Sequence, residues 1–265
     1  MSRIQTVFAH LKATNKKALI PYITAGDPHP KHTVNLLHTL VKTGADMIEM
    51  GIPFSDPMAD GPVIQRASER ALVHKVGLST VLAMVAEFRL KDAVTPIILM
   101  GYANPIEAMG VDNFTKAAKA AGVDGVLTVD YPPEECKEFI AALKAHDMDS
   151  IFLLSPTSDS ARVDLIVNQA TGFLYYVSLK GVTGAANLDV EQVKARVAEI
   201  RTKTSLPIGV GFGVKDSATA KNVAAFADAV VVGSRMVQTI EQSTEDNLMA
   251  NVSQLMTELR QAIDS

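Results

Sequence analysis

Three scarcities in this 265-residue sequence limit the kinds of protein that it can encode. The single cysteine, Cys136, excludes an internal disulfide, is typical of a reducing compartment and is most simply interpreted as a surface thiol. No apolar run approaches the ~20 residues that span a bilayer, and the N-terminal segment lacks the apolar core of a signal peptide. A formal net charge of −4 gives no general attraction to nucleic acid or acidic membranes. We therefore expect a soluble, cytoplasmic protein that binds neither nucleic acid nor membranes.

Short apolar runs that alternate with helical patterns indicate the fold. There are eight such runs, at residues 18–26, 45–53, 96–102, 122–130, 150–156, 172–179, 207–213 and 227–234. Strands that alternate with helices pair in parallel through right-handed crossovers, and eight units in ~250 residues fit a closed (β/α)8 TIM barrel. We expect one domain, residues 1–265.

Two additions to the barrel are predicted. The first is an N-terminal helix with a single apolar face, formed by Ile4, Val7, Phe8 and Leu11. The second is an extra helix after strand two, because residues 61–77 and 78–92 each have helical periodicity and Gly77 separates them.

Three aspartates precede predicted strands in similar local sequences. These residues are Asp46, Asp124 and Asp228. They should lie at the N-terminal ends of the strands, the face that serves stability in such barrels, and we interpret them as structural caps or turn residues.

The stretch EMGIPFSDPMADGP, residues 49–62, places acids where a barrel enzyme has its site. If Ile48, Met50 and Ile52 face the helices, Glu49 faces the barrel interior, since strand side chains alternate. A buried carboxyl stays protonated or finds a partner, which suits either proton transfer or a structural hydrogen bond.

Asp60 and Asp56 in the same stretch are more ambiguous. Asp60 precedes Gly61 and Pro62, so it fits a helix cap as well as it fits a catalytic acid. Asp56 precedes a proline and fits a turn.

Three glycine-bearing turns, at residues 180–187, 211–214 and 232–236, follow the last three predicted strands. Glycine lets backbone N–H groups approach an anion, and Ser234 opens the final predicted helix, so we expect a phosphate-bearing substrate. Residues 180–189 fit a mobile lid or an ordinary surface loop.

Five residues near strand C-termini could wall an apolar pocket or simply belong to the core: Tyr22, Met100, Leu127, Tyr175 and Phe212. No predicted strand contains a lysine for a Schiff base, and the six histidines show no metal-ligand clustering, so no metal is expected. Once Schiff-base and metal chemistry are set aside, acid–base catalysis by carboxylates is the chemistry that remains.

Several blocks of the chain resemble the alpha chains of tryptophan synthase. The blocks are PYITAGDP, DMIEMGIPFSDPMADGPVIQRA, ILMGYANP, GVLTVDYPPEE, FLYYVSLKGVTGA, GVGFGV and VVVGS. The resemblance implies retro-aldol cleavage of indole-3-glycerol phosphate to indole and glyceraldehyde 3-phosphate, with no metal or cofactor in this chain.

The resemblance also implies a role for each matching residue. Glu49 would shuttle protons, and Asp60 would contact the indole N–H. Thr183 would bond to Asp60 when the lid closes, Tyr175 would lie beside the reacting centre, and Phe212 would line the indole pocket. The implied phosphate cradle consists of Gly184, Gly213, Gly233 and Ser234.

A partner follows from the same resemblance. Alpha chains bind a pyridoxal-phosphate beta chain in an αββα tetramer, and the cofactor would belong to that partner. The expected contact face contains Pro53, Asp56, Pro57, Asn104–Pro105 and Pro132–Pro133. Two alternatives stay open, a stand-alone lyase that releases free indole and a non-catalytic barrel that activates the beta chain.

Overall fold

The computed structural model describes residues 1–177, 190–211 and 213–265. Eight parallel strands in this part of the chain form a closed barrel in sequence order. The strands are β1 (Ala18–Thr24), β2 (Ile48–Gly51), β3 (Ile97–Gly101), β4 (Gly125–Thr128), β5 (Asp149–Leu154), β6 (Leu174–Tyr176), β7 (Ile208–Val210) and β8 (Ala229–Val232). Seven of them lie within a predicted run and β5 begins one residue before its run, so the predicted TIM barrel is confirmed.

The helices follow the strands around the outside. Those in the described residues are α1 (Arg3–Ala13), α2 (Pro30–Lys42), α3 (Pro62–Val73), α4 (Leu78–Arg89), α5 (Ala103–Met109), α6 (Val111–Ala121), α7 (Lys137–Ala145), α8 (Ser160–Gln169), α9 (Val190–Arg201), α10 (Ser217–Ala224), α11 (Ser234–Glu241) and α12 (Leu248–Asp264). The two predicted additions are α1 and the α3–α4 pair.

Two apolar cores result from the alternation of strand side chains. The outer core, between the strands and the helices, contains Ile48, Met50 and Ile52. The inner core fills the barrel and contains Met47, the residue before β2. Because both faces of the strands are covered, the strands read as nearly continuous apolar runs.

Helix α1 closes the N-terminal end of the barrel. A capping box formed by Ser2 and Gln5 starts the helix. Ile4, Phe8 and Leu11 then belong to the inner core, and Val7 packs against it. The predicted apolar face is therefore the plug of the barrel.

The three aspartates at the N-terminal ends of the strands are structural, as predicted. Each accepts a hydrogen bond through Oδ2 from a backbone N–H at the start of the preceding strand: Asp46 from Leu19 at 2.8 Å, Asp124 from Ile97 at 2.8 Å and Asp228 from Ile208 at 2.9 Å. Each also pairs with an arginine: Arg260, Arg89 and Arg201 respectively. The carboxylates tie neighbouring strands together at this end.

The structure differs from the prediction in three places. Helix α5 is an additional short helix after β3, and Ser234 opens α11, not the final helix. The chain turns between α11 and α12, where the Asn247 side chain accepts a hydrogen bond from the Thr244 N–H at 2.7 Å. Cys136 is buried, not a surface thiol, and its Sγ donates to the Pro132 carbonyl.

Among the described helices, no single one is long and apolar enough to cross a membrane. The consecutive helices α3 and α4 would together be long and apolar enough, by length and composition alone. Their axes bend by 91° at the break between them. Buried residues of both helices belong to the outer barrel core.

Candidate active site

Glu49 lies inside the barrel on the middle of β2, as the strand alternation predicts. It is 1% exposed, and its backbone is level with Tyr22 on β1 and Ile98 on β3. Among the described residues its Oε1 atom has no hydrogen-bond partner. Burial, with a further contribution from the nearby Asp60 carboxylate, raises the pKa of Glu49 to about 8. The side chain is therefore a neutral acid at pH 7 that can both release and regain a proton.

Asp60 lies in the loop between β2 and α3, and it does not cap the helix. The N-cap of α3 is Gly61, without a side-chain capping bond. The Asp60 carboxylate instead accepts a hydrogen bond at Oδ2 from the Tyr102 hydroxyl at 3.1 Å. Burial raises the pKa of Asp60, and the Tyr102 hydrogen bond offsets part of that rise. Of the two roles that the sequence left open for Asp60, the structure therefore excludes the helix cap.

The two carboxyls influence each other, since the negative charge of Asp60 helps to raise the pKa of Glu49. Neighbouring acids of this kind separate into one group that holds its proton and one that loses it more readily. The arrangement supplies a proton donor inside the barrel and a hydrogen-bond acceptor at its mouth.

Two tyrosines flank Glu49, and each lies over a glycine, Gly51 at the end of β2 or Gly211 directly after β7. A Cβ at Gly51 would lie 2.1 Å from the Tyr22 hydroxyl oxygen, and one at Gly211 would lie 2.2 Å from that of Tyr175. Burial raises the pKa of Tyr22, with the Asp60 and Glu49 charges adding to the rise. Burial and then Glu49 raise the pKa of Tyr175. Both hydroxyls stay neutral beside the carboxyls.

Met100 and Leu127 lie side by side in the sheet, since they are register partners on β3 and β4. Met100, near the end of β3, is half-buried and packs against both the inner core and Tyr22. Leu127 is completely buried in the inner core. Both residues therefore belong to the apolar packing of the barrel interior.

Residues 8–264 match the family described as "Tryptophan synthase alpha chain". The chain belongs to this family. The alpha chain of Chromobacterium violaceum is 62% identical over 263 residues, 99% of this chain and 100% of that protein. The alpha chain of Ralstonia nicotianae (strain ATCC BAA-1114 / GMI1000) is 58% identical over 265 residues, all of both chains.

A solved structure shows the same architecture as this member of the family. The crystal structure of tryptophan synthase subunit alpha from Legionella pneumophila str. Paris superposes with a TM-score of 0.94 at 47% identity. The match covers 100% of this chain and 99% of that chain. The sequence resemblance to tryptophan synthase alpha chains is confirmed.

The predicted phosphate cradle of this family member is only partly described. Gly213 adopts φ +65°, a backbone conformation that favours glycine, in the turn after β7. Gly233 caps α11 with open space where a Cβ would lie, and Ser234 is the exposed first residue of that helix. Thr183, Gly184 and Phe212 lie outside the described residues, as does all of the predicted lid at 180–189.

Sequence reasoning missed Tyr102, which organises the Asp60 loop. Its hydroxyl donates to Asp60 and accepts from the Ala59 N–H at 3.0 Å, and its ring stacks on Phe54 with centroids 5.2 Å apart. A usable signal was present, because Tyr102 is the first polar residue after β3, within the block ILMGYANP. Thr24, whose Oγ1 lies 3.2 Å from the Tyr22 hydroxyl, was missed in the same way.

In the part of the chain that the structure describes, no group of three or more His, Cys, Asp or Glu side chains could hold a metal ion. The described site consists of carboxyls, tyrosine hydroxyls and apolar side chains.

Proposed function

We propose that this alpha chain cleaves indole-3-glycerol phosphate to indole and glyceraldehyde 3-phosphate by acid–base catalysis. The observation that carries this proposal is the buried carboxyl of Glu49, without a partner at Oε1 and with a pKa of about 8. A group poised near neutral pH can give a proton in one step and take one in the next.

In the first step, neutral Glu49 transfers its proton to C3 of the indole ring. The ring nitrogen becomes electron-poor, and Asp60, the acceptor at the mouth, receives a hydrogen bond from the indole N–H and stabilises the developing positive charge. The site itself therefore supplies the negative charge that stabilises the ring.

In the second step, the Glu49 carboxylate removes the proton of the glycerol hydroxyl next to the ring. The carbonyl of glyceraldehyde 3-phosphate forms, the bond between that carbon and C3 breaks, and its electron pair returns to the ring to restore indole. Glu49 ends the cycle protonated, as it began.

The remaining residues would bind the two ends of the substrate. Tyr22, Met100 and Tyr175 would line the indole pocket, together with Phe212. Gly213, Gly233 and Ser234 would form the phosphate cradle with Gly184, and Thr183 would reach Asp60. The exposed N-terminus of α11 supports an anion at this place, because its free N–H groups and dipole favour negative charge.

The chain would act as a subunit, with a pyridoxal-phosphate beta chain as its partner in an αββα tetramer and with no cofactor of its own. A groove of about 400 Å³ supports docking at the Asp60 loop, because Phe54, Asp56, Pro57 and Met58 line it. Met58 is 84% exposed and adds apolar surface to this groove.

Replacement of Glu49 by Gln tests the proton role with little change of shape. We expect indole release to fall by about 10²–10⁴-fold, the usual size of a general acid–base contribution. Competitive inhibition by inorganic phosphate should persist, because the cradle is intact. The matched control is Glu87→Gln on the exposed side of α4, which should retain full turnover. Unchanged turnover in Glu49→Gln would remove Glu49 from the mechanism.

The same assay, run with and without a beta chain, separates the alternatives. A subunit should release indole slowly alone and be strongly activated by the partner. Equal rates in both arms would favour a stand-alone lyase. No indole from the purified chain in either arm would favour a non-catalytic activator.

A further inference from the structure

Two of the helices outside the regular strand–helix alternation, α3 and α11, contact each other. Helices α4 and α12 pack on α2 from its two sides and so belong to the outer layer. Helices α3 and α11 instead contact each other and the strand β1. The helices inserted after β2 and after β8 therefore meet across the end of β1, at the rim that carries the site.

Four charged side chains join these two helices to the loop after β1. Arg70 on α3 forms two hydrogen bonds to Asp27, Nε to Oδ1 at 2.6 Å and Nη2 to Oδ2 at 3.0 Å. Its third nitrogen, Nη1, donates to Glu241 Oε1 on α11 at 2.7 Å. Arg66 adds a second fork to Glu241, with both bonds at 2.8 Å. We call Asp27, Arg66, Arg70 and Glu241 the rim clamp.

The rim clamp combines planar geometry with partial burial. The side chain of Asp27 is completely buried, and those of Arg70 and Glu241 are about one quarter exposed. Two-pronged arginine–carboxylate pairs hold an angle as well as a distance, which a single lysine contact does not. Arg66 and Arg70 lower the pKa of Glu241 to about 2, so this carboxylate is charged throughout the working pH range.

Apolar contacts fill the space between the same elements. Tyr22 on β1, Ala67 on α3 and Val237 on α11 form a small buried cluster, with Val63 and Ile64 packed against it. The interface of the two helices thus has an apolar centre beneath a charged edge, which fixes how the helices approach each other.

The proposed function requires that the N-termini of these two helices are placed accurately. Asp60 lies two residues before α3, and Gly233 and Ser234 begin α11. Helix α11 has only 8 residues, about 12 Å, so a constraint on Glu241 at its last position also limits movement of its first turn.

We propose that the rim clamp is a positioning device that fixes the distance between the indole end and the phosphate end of the substrate site. This inference rests on the proposed function. It adds that Arg66, Arg70 and Glu241, none of which touches the substrate, act through α3 and α11. A substrate that engages both ends gains affinity only when the two ends are held at its own length.

Glu241→Gln is the decisive variant, because it removes the charge between the helices and leaves the buried Arg70–Asp27 pair intact. We expect the KM for indole-3-glycerol phosphate to rise about fivefold to tenfold, because the two ends lose their fixed spacing. The kcat should change by less than about twofold, because Glu49 and Asp60 keep their surroundings once the substrate is bound. The inhibition constant of inorganic phosphate, which engages one end only, should stay within about twofold of the wild-type value.

Glu245→Gln is the matched control. Glu245 lies four residues after Glu241, and the substitution breaks its 2.5 Å ion pair with Lys31 on α2. It should leave KM unchanged. Arg66→Gln should reproduce the Glu241→Gln pattern from the other helix.

Three results would overturn the proposal. An unchanged KM in Glu241→Gln would show that the spacing does not depend on the clamp. Equal weakening of substrate and inorganic phosphate would show that the clamp builds the cradle itself. A loss of kcat with a matching fall in the thermal unfolding midpoint would show a role in stability alone. A wild-type chain without turnover would instead contradict the proposed function, so the two failures are distinguishable.

Discussion

Two buried carboxyls at opposite ends of this barrel, Asp124 and Glu49, have opposite surroundings. At the N-terminal end, Asp124 is 5% exposed, accepts the Ile97 N–H and forms ion pairs with two arginines. At the C-terminal end, Glu49 is equally buried, yet its Oε1 has no partner among the described residues. The pairing of Asp124 stabilises the fold, whereas burial without a partner raises the pKa of Glu49 and leaves a proton available for chemistry.

Cations account for much of this difference. Guanidinium groups neutralise the aspartates at the N-terminal end, whereas in the described residues no lysine or arginine is among the groups that shift the pKa of Glu49 or Asp60. A cation beside Glu49 would lower its pKa and remove the neutral acid. Two arginines on α3, Arg66 and Arg70, form ion pairs with Asp27 and Glu241 instead.

Removal of a paired carboxylate should have the largest effect on stability. Asp124→Ala should lower the free energy of unfolding by about 3–5 kcal/mol, because it leaves Arg89 with a buried charge and the Ile97 N–H without its acceptor. Urea unfolding measures the loss, and Glu87→Ala, at an exposed carboxylate on α4, is the control. The kcat of the folded fraction should stay near the wild-type value. A variant that is stable but inactive would contradict the division between the two ends.

Loss of the hydrogen bond from Tyr102 to the Asp60 carboxylate should have a smaller effect, on activity. Tyr102→Phe removes a bond that lowers the pKa of Asp60, so that pKa should rise. We expect kcat/KM to fall about threefold to tenfold near neutral pH, which corresponds to the usual net value of one hydrogen bond. The acidic limb of the pH profile should move to higher pH, since ionised Asp60 then requires a higher pH. Superimposable profiles for the two proteins would contradict this role of Tyr102.

Much of the barrel could be predicted because the spacing of apolar residues along the sequence indicates its strands and helices. Each strand is covered on both faces, so its apolar run is visible in the sequence, and alternation from Ile48 alone is enough to orient Glu49. The aspartates before β2, β4 and β8 recur in similar local sequences, which made their shared structural role recognisable.

Features that depend on contacts between distant segments could not be read from local patterns. The bond from Tyr102 to Asp60 joins residues 42 positions apart, and nothing in either local sequence specifies the other. The meeting of α3 with α11 brings together residues as much as 175 positions apart. The split between α11 and α12 depends on a turn that the helical period does not reveal.

The protonation state of Glu49 is the most direct test of the whole account. Infrared difference spectra between the wild-type chain and Glu49→Gln isolate the carbonyl band of the protonated carboxyl. We predict that the band persists at pH 7 and disappears with a midpoint of about 8, because burial raises the pKa of this group. A band that is already lost below pH 6 would show an ordinary ionised glutamate and would contradict its role as the proton donor.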